Sequence, residues 1–263
     1  MRTRRYALLL FTGCLALGSQ WASAQPVSVC ADPDPPPWTY WVRDAQGQKT
    51  TTFVGSSVDT VRAAFERIGR TVDFKGEFPW SRCLVMVERG DVDFAMDAYF
   101  DADRAKRFAY STHYNTLTPQ IFFRTAHPIA LTGLKDLKKY RGCGMLGASY
   151  THYGLKPEQL DLGTGYERMI TKLKRQRCDY FVEELEVIAG YQIIGKDYLS
   201  DPEIGHGPVP GAKPPAKHLI TARNGEAARL IPALDAALNA LAKSGETERT
   251  WKKHTGNNLP FQP

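Results

Sequence analysis

GSSVDTVRAAFERIGRTVDFKGEFPWSRCLVMVERGDVDFAM, residues 55–96, is the stretch whose periodicity decides the fold class. Val58, Val61, Phe65 and Ile68 recur at near-helical spacing, and Gly69 can stop the helix they predict. Residues 71–74 then read as a strand. Pro79 can open a second helix that carries Leu84 and Val87 inward and ends at Gly90, after which residues 92–96 read as a buried strand. Upstream, residues 27–30 form a β-type run that stops at Asp32-Pro33-Asp34-Pro35-Pro36-Pro37, which continues neither strand nor helix. Strand, helix, strand, helix, strand is the grammar of a parallel sheet covered by helices, an α/β fold.

Toward the C-terminus the same grammar returns. Asp101 can cap a further helix, and residues 120–124 are extended and apolar. Short helix at 134–140, strand at 143–146, helix at 166–174 with Met169, Ile170 and Leu173 inside, and strand at 179–182 make a second α/β unit. Residues 205–215 hold three glycines and four prolines and read as a linker. Residues 218–222 read as a returning strand, and 226–243 as an amphipathic helix with Leu230, Leu234, Leu238 and Leu241 on one side and Gly245 as its stop. Crossings near 115 and 215 imply two lobes, residues 25–115 with 216–263 and residues 116–215, joined by two strands.

At the N-terminus Arg2, Arg4 and Arg5 precede an apolar run over residues 6–17 and the small residues Ala22-Ser23-Ala24, the pattern of a secretory signal peptide (residues 1–24) cut before Gln25. Phe11-Thr12-Gly13-Cys14 is a competing lipoprotein cleavage site, and Arg4-Arg5 also fits a twin-arginine signal. A soluble, exported, periplasmic protein is expected. Export removes three arginines and no acid, leaving 31 Lys+Arg against 28 Asp+Glu, spread and interleaved. A nucleic-acid binder would concentrate its basic residues on one face, so no nucleic-acid partner is expected. Four cysteines remain, Cys30, Cys83, Cys143 and Cys178, an even number in a compartment that permits disulfides. Their wide spacing lacks the close pairs of a zinc site, and no metal or other cofactor is expected.

In order, Gly55 to Asp59 before a helix, Pro79-Trp80, Gly90-Asp91-Val92-Asp93, Asp103-Arg104, Tyr110-Ser111, the loop at 144–150, Arg177-Cys178-Asp179 and the last leucine-rich helix resemble the periplasmic solute-binding proteins of polar amino-acid ABC transporters. The resemblance implies a two-lobed periplasmic-binding-protein fold, each lobe a mostly parallel sheet flanked by helices, joined by two hinge strands and closing on a ligand. It also implies a small polar solute, an inner-membrane ABC permease as partner, and a monomer.

By the same resemblance, Arg104 holds the ligand carboxylate, as a guanidinium fork suits a carboxylate. Ser149 and Tyr150, in the loop Gly147-Ala148-Ser149-Tyr150-Thr151, offer small polar groups and backbone amides from the other lobe. Glu184, or its neighbour Glu183, receives an amino group. Trp38, Tyr40, Trp80 and Tyr99 are candidate aromatic walls. The sequence departs from the family where Asp97-Ala98-Tyr99-Phe100 replaces a hydroxyl-rich segment, which makes Asp97 a candidate for a more cationic ligand, and where Pro35 replaces an aromatic. With Cys30 and Cys83 in one lobe and Cys143 and Cys178 in the other, those are the expected pairs. An enzyme on this fold, a cyclohexadienyl dehydratase-like lyase using Glu184 or Glu183 as acid or base, is the competing reading, and a sensory domain without transport is a third. No nucleophile is paired with a histidine, His113 and His152 standing isolated, so binding is favoured over catalysis.

Overall fold

The structure, a computed structural model, describes residues 25–256 and 258–263. The expected leader at residues 1–24, with the alternative cleavage at Cys14, lies outside the described residues. Among the described residues no helix is long and apolar enough to cross a membrane.

Strand β1 (Val27–Cys30) leads through the proline turn to a hairpin, β2 (Tyr40–Arg43) with β3 (Lys49–Val54), and then to helix α1 (Ser56–Arg67). Gly55 is required at this entry, because its φ is 150° and a Cβ there would meet the Trp38 carbonyl oxygen at 1.9 Å. Helix α1 buries Val58, Val61, Ala64 and Phe65, the face its spacing predicts. β4 (Val72–Lys75) and α2 (Trp80–Arg89) follow, and Gly90 ends α2 with a left-handed φ of 78°. β5 (Phe94–Tyr99) starts later than expected and runs on to the residue before Phe100. The helix expected from Asp101 is one 3-10 turn, Arg104–Lys106. Asp101 does cap it, its Oδ1 accepting the Arg104 amide at 2.9 Å, but β6 (Phe108–Thr116) begins too soon for a second turn.

The second unit comprises β7 (Pro119–Arg124), a 3-10 helix at Leu134–Lys139, β8 (Gly142–Met145), β9 (Leu160–Gly163), α3 (Tyr166–Lys174), β10 (Tyr180–Glu184), α4 (Leu185–Gly190) and β11 (Ile204–Pro208). The expected linker at 205–215 therefore opens as a strand. β11 lies at a sheet edge, where a proline costs no ladder hydrogen bond. β12 (Ala216–Ala222) returns to the first unit and leads to α5 (Ile231–Lys243) and α6 (Glu246–Thr255). Residues 226–230, expected as the start of a longer helix, form a 3-10 segment; the α-helix begins where Pro232 fits its first turn.

The strands form two five-stranded sheets, β4-β1-β5-β12-β6 and β11-β7-β10-β8-β9. β12 is the antiparallel member of the first, and β7 of the second. Both sheets are mostly parallel and flanked by helices, a two-lobed α/β fold. The chain crosses between sheets at residues 117–118 and 209–215, and the Leu117 amide donates to the Pro215 carbonyl at 3.0 Å, which binds the two crossings side by side. Trp38, Leu117, Val187 and Trp251 pack into one buried cluster beside them.

Cys30 pairs with Cys83 and Cys143 with Cys178. The first bridge fastens β1 to α2 and the second fastens β8 to the turn before β10. Each closes a long loop within one lobe, which contributes roughly 2–4 kcal/mol and leaves the lobes free to move against each other.

Candidate functional site

The C-terminal ends of β5 and β10 face each other across the two sheets, and the turn after β5 and the loop after β8 carry further polar side chains into the gap. Arg104 sits in the 3-10 turn after β5, only 8% exposed. Its Nη1 donates to the Tyr99 carbonyl at 3.3 Å and its Nη2 to the Gly147 carbonyl of the opposite lobe at 2.9 Å. The guanidinium lies 5.7 Å from the centroid of the Trp80 ring, and Trp80 Nε1 donates to the same Gly147 carbonyl at 3.0 Å. Both groups are thus held at the lobe junction by backbone carbonyls, and no carboxylate neutralises Arg104 at ion-pair distance among the described residues.

From the other side Ser149 Oγ donates to Asp101 Oδ2 at 2.8 Å, a direct latch between lobes. Tyr150 is buried and its hydroxyl accepts the Met145 amide, so it offers the cleft its ring. The loop starts only a 3-10 turn, Thr151–Tyr153, rather than the helix that would have aligned a set of free amides. Farther along the gap the Tyr191 hydroxyl donates to the Asp34 carbonyl at 2.7 Å. There the backbones nearly touch: a Cβ on Gly190 would lie 1.9 Å from the Pro36 carbonyl oxygen.

Glu184 is fully buried, and protein donors fill it. Its Oε1 accepts from Tyr153 at 3.0 Å and from His152 Nε2 at 2.9 Å, and its Oε2 accepts from Tyr99 of the opposite lobe at 2.5 Å. Burial pushes this carboxyl up, but hydrogen bonds from Glu183, His152 and Tyr99 outweigh it and hold Glu184 below the usual range. Glu183, bonded to Tyr166 at 2.8 Å, is driven well above the usual range by burial and by the adjacent Glu184. Burial and mutual repulsion thus favour the proton on Glu183 over Glu184, and with three protein donors on its carboxyl Glu184 is not the free acceptor for a ligand amino group that the sequence leads one to expect.

Asp97 stands at the cavity wall with φ 67°, a left-handed conformation that is strained for an aspartate. Its Oδ1 accepts from Ser57 at 2.6 Å and Tyr114 at 2.8 Å, while the buried Oδ2 has no partner among the described residues. Arg104, Trp80, Asp97, Tyr99, Ser149, Tyr150 and Glu184 all line one cavity. Trp38 does not. It is 1% exposed, packs on Trp251 at 5.5 Å and donates from Nε1 to Asn115 at 2.7 Å, so it is a core tryptophan behind the wall. Tyr40 also lies elsewhere, bonded to His254 at 2.9 Å.

The sequence of residues 27–257 matches the family of bacterial extracellular solute-binding proteins, family 3. The chain belongs to this family. It is 30% identical over 163 residues to a probable ABC transporter extracellular-binding protein, YckB, of Bacillus subtilis, a match covering 58% of this chain and 55% of that protein, so the chain spans about half of that relative's length. The arginine-, lysine-, histidine-binding protein ArtJ of Geobacillus stearothermophilus superposes with TM-score 0.71 at 18% identity, over 89% of this chain and 97% of that one. A Streptococcus pneumoniae amino acid ABC transporter substrate-binding protein, AbpA, bound to L-arginine gives 0.69 at 19% identity, over 87% and 94%. At these identities the likeness is one of fold. The family and these neighbours are substrate-binding proteins, which sets aside the lyase expectation for this family-3 chain.

Several cavity residues of the family-3 protein escape sequence reasoning: Asp32, Tyr153 and Lys217, and also His152, which stands isolated in the sequence. His152 and Glu184 stand 32 positions apart, and nothing local links them. Lys217 does leave a trace, a lysine in the apolar run of β12. Asp32 follows β1, and burial raises its carboxyl to about 6 against the Asp34 and Trp80 amides and Lys217, which lower it. A folded value above the unfolded one means that stability falls as pH rises from about 4 to 6. Asp32→Asn is expected to stabilise the ligand-free protein by about 1–2 kcal/mol at about pH 7.5, with the gain fading at about pH 4. Thermal unfolding at both pH values checks this, and an equal gain at each would show that Asp32 ionisation is not its source.

Proposed function

We propose that this protein captures a small carboxylate-bearing solute, an amino acid or a related compound, in the periplasm and delivers it to an inner-membrane ABC permease. The observation that carries this reading is Arg104: a buried guanidinium at the lobe junction, held only by carbonyl oxygens and facing a cavity shared by both lobes. A carboxylate there would gain a charge-assisted hydrogen bond, worth roughly 1.5–3 kcal/mol, in a site already shielded from water. The latches Ser149 to Asp101 and Tyr99 to Glu184, already formed here, would hold the lobes together over a bound solute. Structural neighbours that bind amino acids, and a relative that is a probable ABC transporter extracellular-binding protein, support the same reading.

Thermal unfolding against amino acids, polyamines, organic acids and cyclohexadienyl acids tests it, with product analysis on every hit. A true ligand at a hundredfold excess over its dissociation constant adds about 2.7 kcal/mol, expected to raise the midpoint by roughly 5–11 °C with the solute recovered intact. A solute consumed during the assay would return the lyase reading, and the absence of any carboxylate-bearing hit would overturn the proposal.

A further inference from the structure

Lys217 is a cation that neither the fold nor the solute-binding reading accounts for. It lies on β12, opposite Tyr99 of β5 and Asn115 of β6, and is 4% exposed. Its ammonium sits 4.0 Å from the centroid of the Trp38 ring and 5.4 Å from that of Tyr99, and the side chain lines the same cavity as Arg104. No hydrogen bond or ion pair reaches Nζ among the described residues. An ammonium carries three N–H donors, and contact with ring faces returns only part of the hydration lost on burial. The side chain is thus fixed by aromatic walls with its donors unmatched by the protein.

The acids of the cavity do not supply the match. Glu184 is occupied by Tyr99, Tyr153 and His152, and Asp32 accepts the Trp80 amide at 3.3 Å. Asp97 gives one oxygen to Ser57 and Tyr114. Two buried cations, Arg104 and Lys217, therefore line one cavity without a carboxylate partner at ion-pair distance among the described residues, and Asp97 lines the same cavity with its buried Oδ2 unpaired.

We propose that Lys217 is a ligand-binding residue and that the solute bears two carboxylates, one for Arg104 and one for Lys217, with an ammonium group for Asp97: an acidic amino acid. This rests on the binding function proposed above and narrows it to a class opposite in charge to the arginine seen in one structural neighbour. Trp38 then serves the site at one remove, as the ring under the lysine.

Isothermal titration of the purified protein with L-glutamate, L-aspartate, glutarate, L-glutamine and L-arginine tests it, alongside Lys217→Met. An acidic amino acid is expected to bind tightest, and Lys217→Met to weaken it by about 30-fold or more while changing L-glutamine by less than about threefold. The ligand-free variant should unfold at or above the temperature of the unsubstituted protein, since it loses an unpaired buried cation. L-glutamine or L-arginine binding tighter than every acid overturns the inference and leaves the binding function standing, as does an unchanged affinity for the acid in Lys217→Met. A marked fall in the variant's own unfolding temperature also overturns it, by making Lys217 structural. Silence across these five overturns the inference, and the wider thermal-unfolding panel then decides the binding function separately.

Discussion

Replacing Arg104 with alanine is expected to weaken solute binding by about 2–5 kcal/mol, or about 30- to 5,000-fold in dissociation constant. The size follows from position. Arg104 is buried, its hydrogen bonds go to carbonyl oxygens, it lies near the Trp80 face with no carboxylate at ion-pair distance among the described residues, and a ligand carboxylate reaching it is largely desolvated on arrival. Truncation would remove the partner and leave that carboxylate uncompensated in a closed cavity, the costly case for a buried charge. Arg104→Lys should recover only part of the loss, because an ammonium cannot hold the Tyr99 and Gly147 carbonyls and still offer a two-toothed grip to a carboxylate. Calorimetric titration of both variants with a ligand found by thermal shift is the measurement, with ligand-free unfolding as the control. An alanine variant that binds within a factor of about three of the original would place Arg104 outside the site.

The fold was largely legible because it rests on local periodicity. The spacing Val58, Val61, Phe65 set the buried face of α1, and Met169, Ile170, Leu173 set that of α3, whose bounds agree to the residue. The cysteine pairs followed once each lobe held two. Where reading failed, a local preference lost to tertiary demand. Asp101 capped a helix that the start of β6 cut short, and a proline- and glycine-rich stretch became a strand because it lies at a sheet edge. Helix α6 was invisible because charge dominates its surface, although Trp251 anchors it in the core.

The site was legible as a set of residues but not as a network. Eight of the ten candidates share one cavity, Trp38 and Tyr40 lying elsewhere, yet their partners are set by how two separately folded sheets meet. Trp80 bonds to Gly147 across 67 positions, and Tyr99 to Glu184 across 85. Sequence could nominate Glu184 as an acid at a strand end, but only the meeting of lobes shows three donors converging on it. Trp38 failed for the same reason in reverse: Leu117 at the crossing, Val187 of α4 and Trp251 of the unforeseen α6 bury it.

Removing the carboxylate at that convergence should be the most damaging single change to stability. Glu184→Ala strips the charged acceptor from Tyr99, Tyr153 and His152, which line a narrow cavity and have no other acceptor of that charge. Breaking such a buried cluster costs about 3–5 kcal/mol, which lowers the unfolding midpoint by roughly 6–20 °C for a chain of this size. Glu184→Gln keeps the shape and one acceptor oxygen and should cost less than half as much. The effect carries a sign in pH. Glu184 is held below its unfolded value, so its contribution is present above the usual carboxylate range and is lost as pH falls through the folded value. The gap between the original and Glu184→Ala should therefore be widest near neutrality and narrow at about pH 4 and below. Thermal unfolding across that range decides it. A gap that is small throughout would mean that neighbouring Glu183, released from the like charge that keeps it protonated, ionises and takes over the three donors, and the negative charge would then belong to the strand end rather than to one residue.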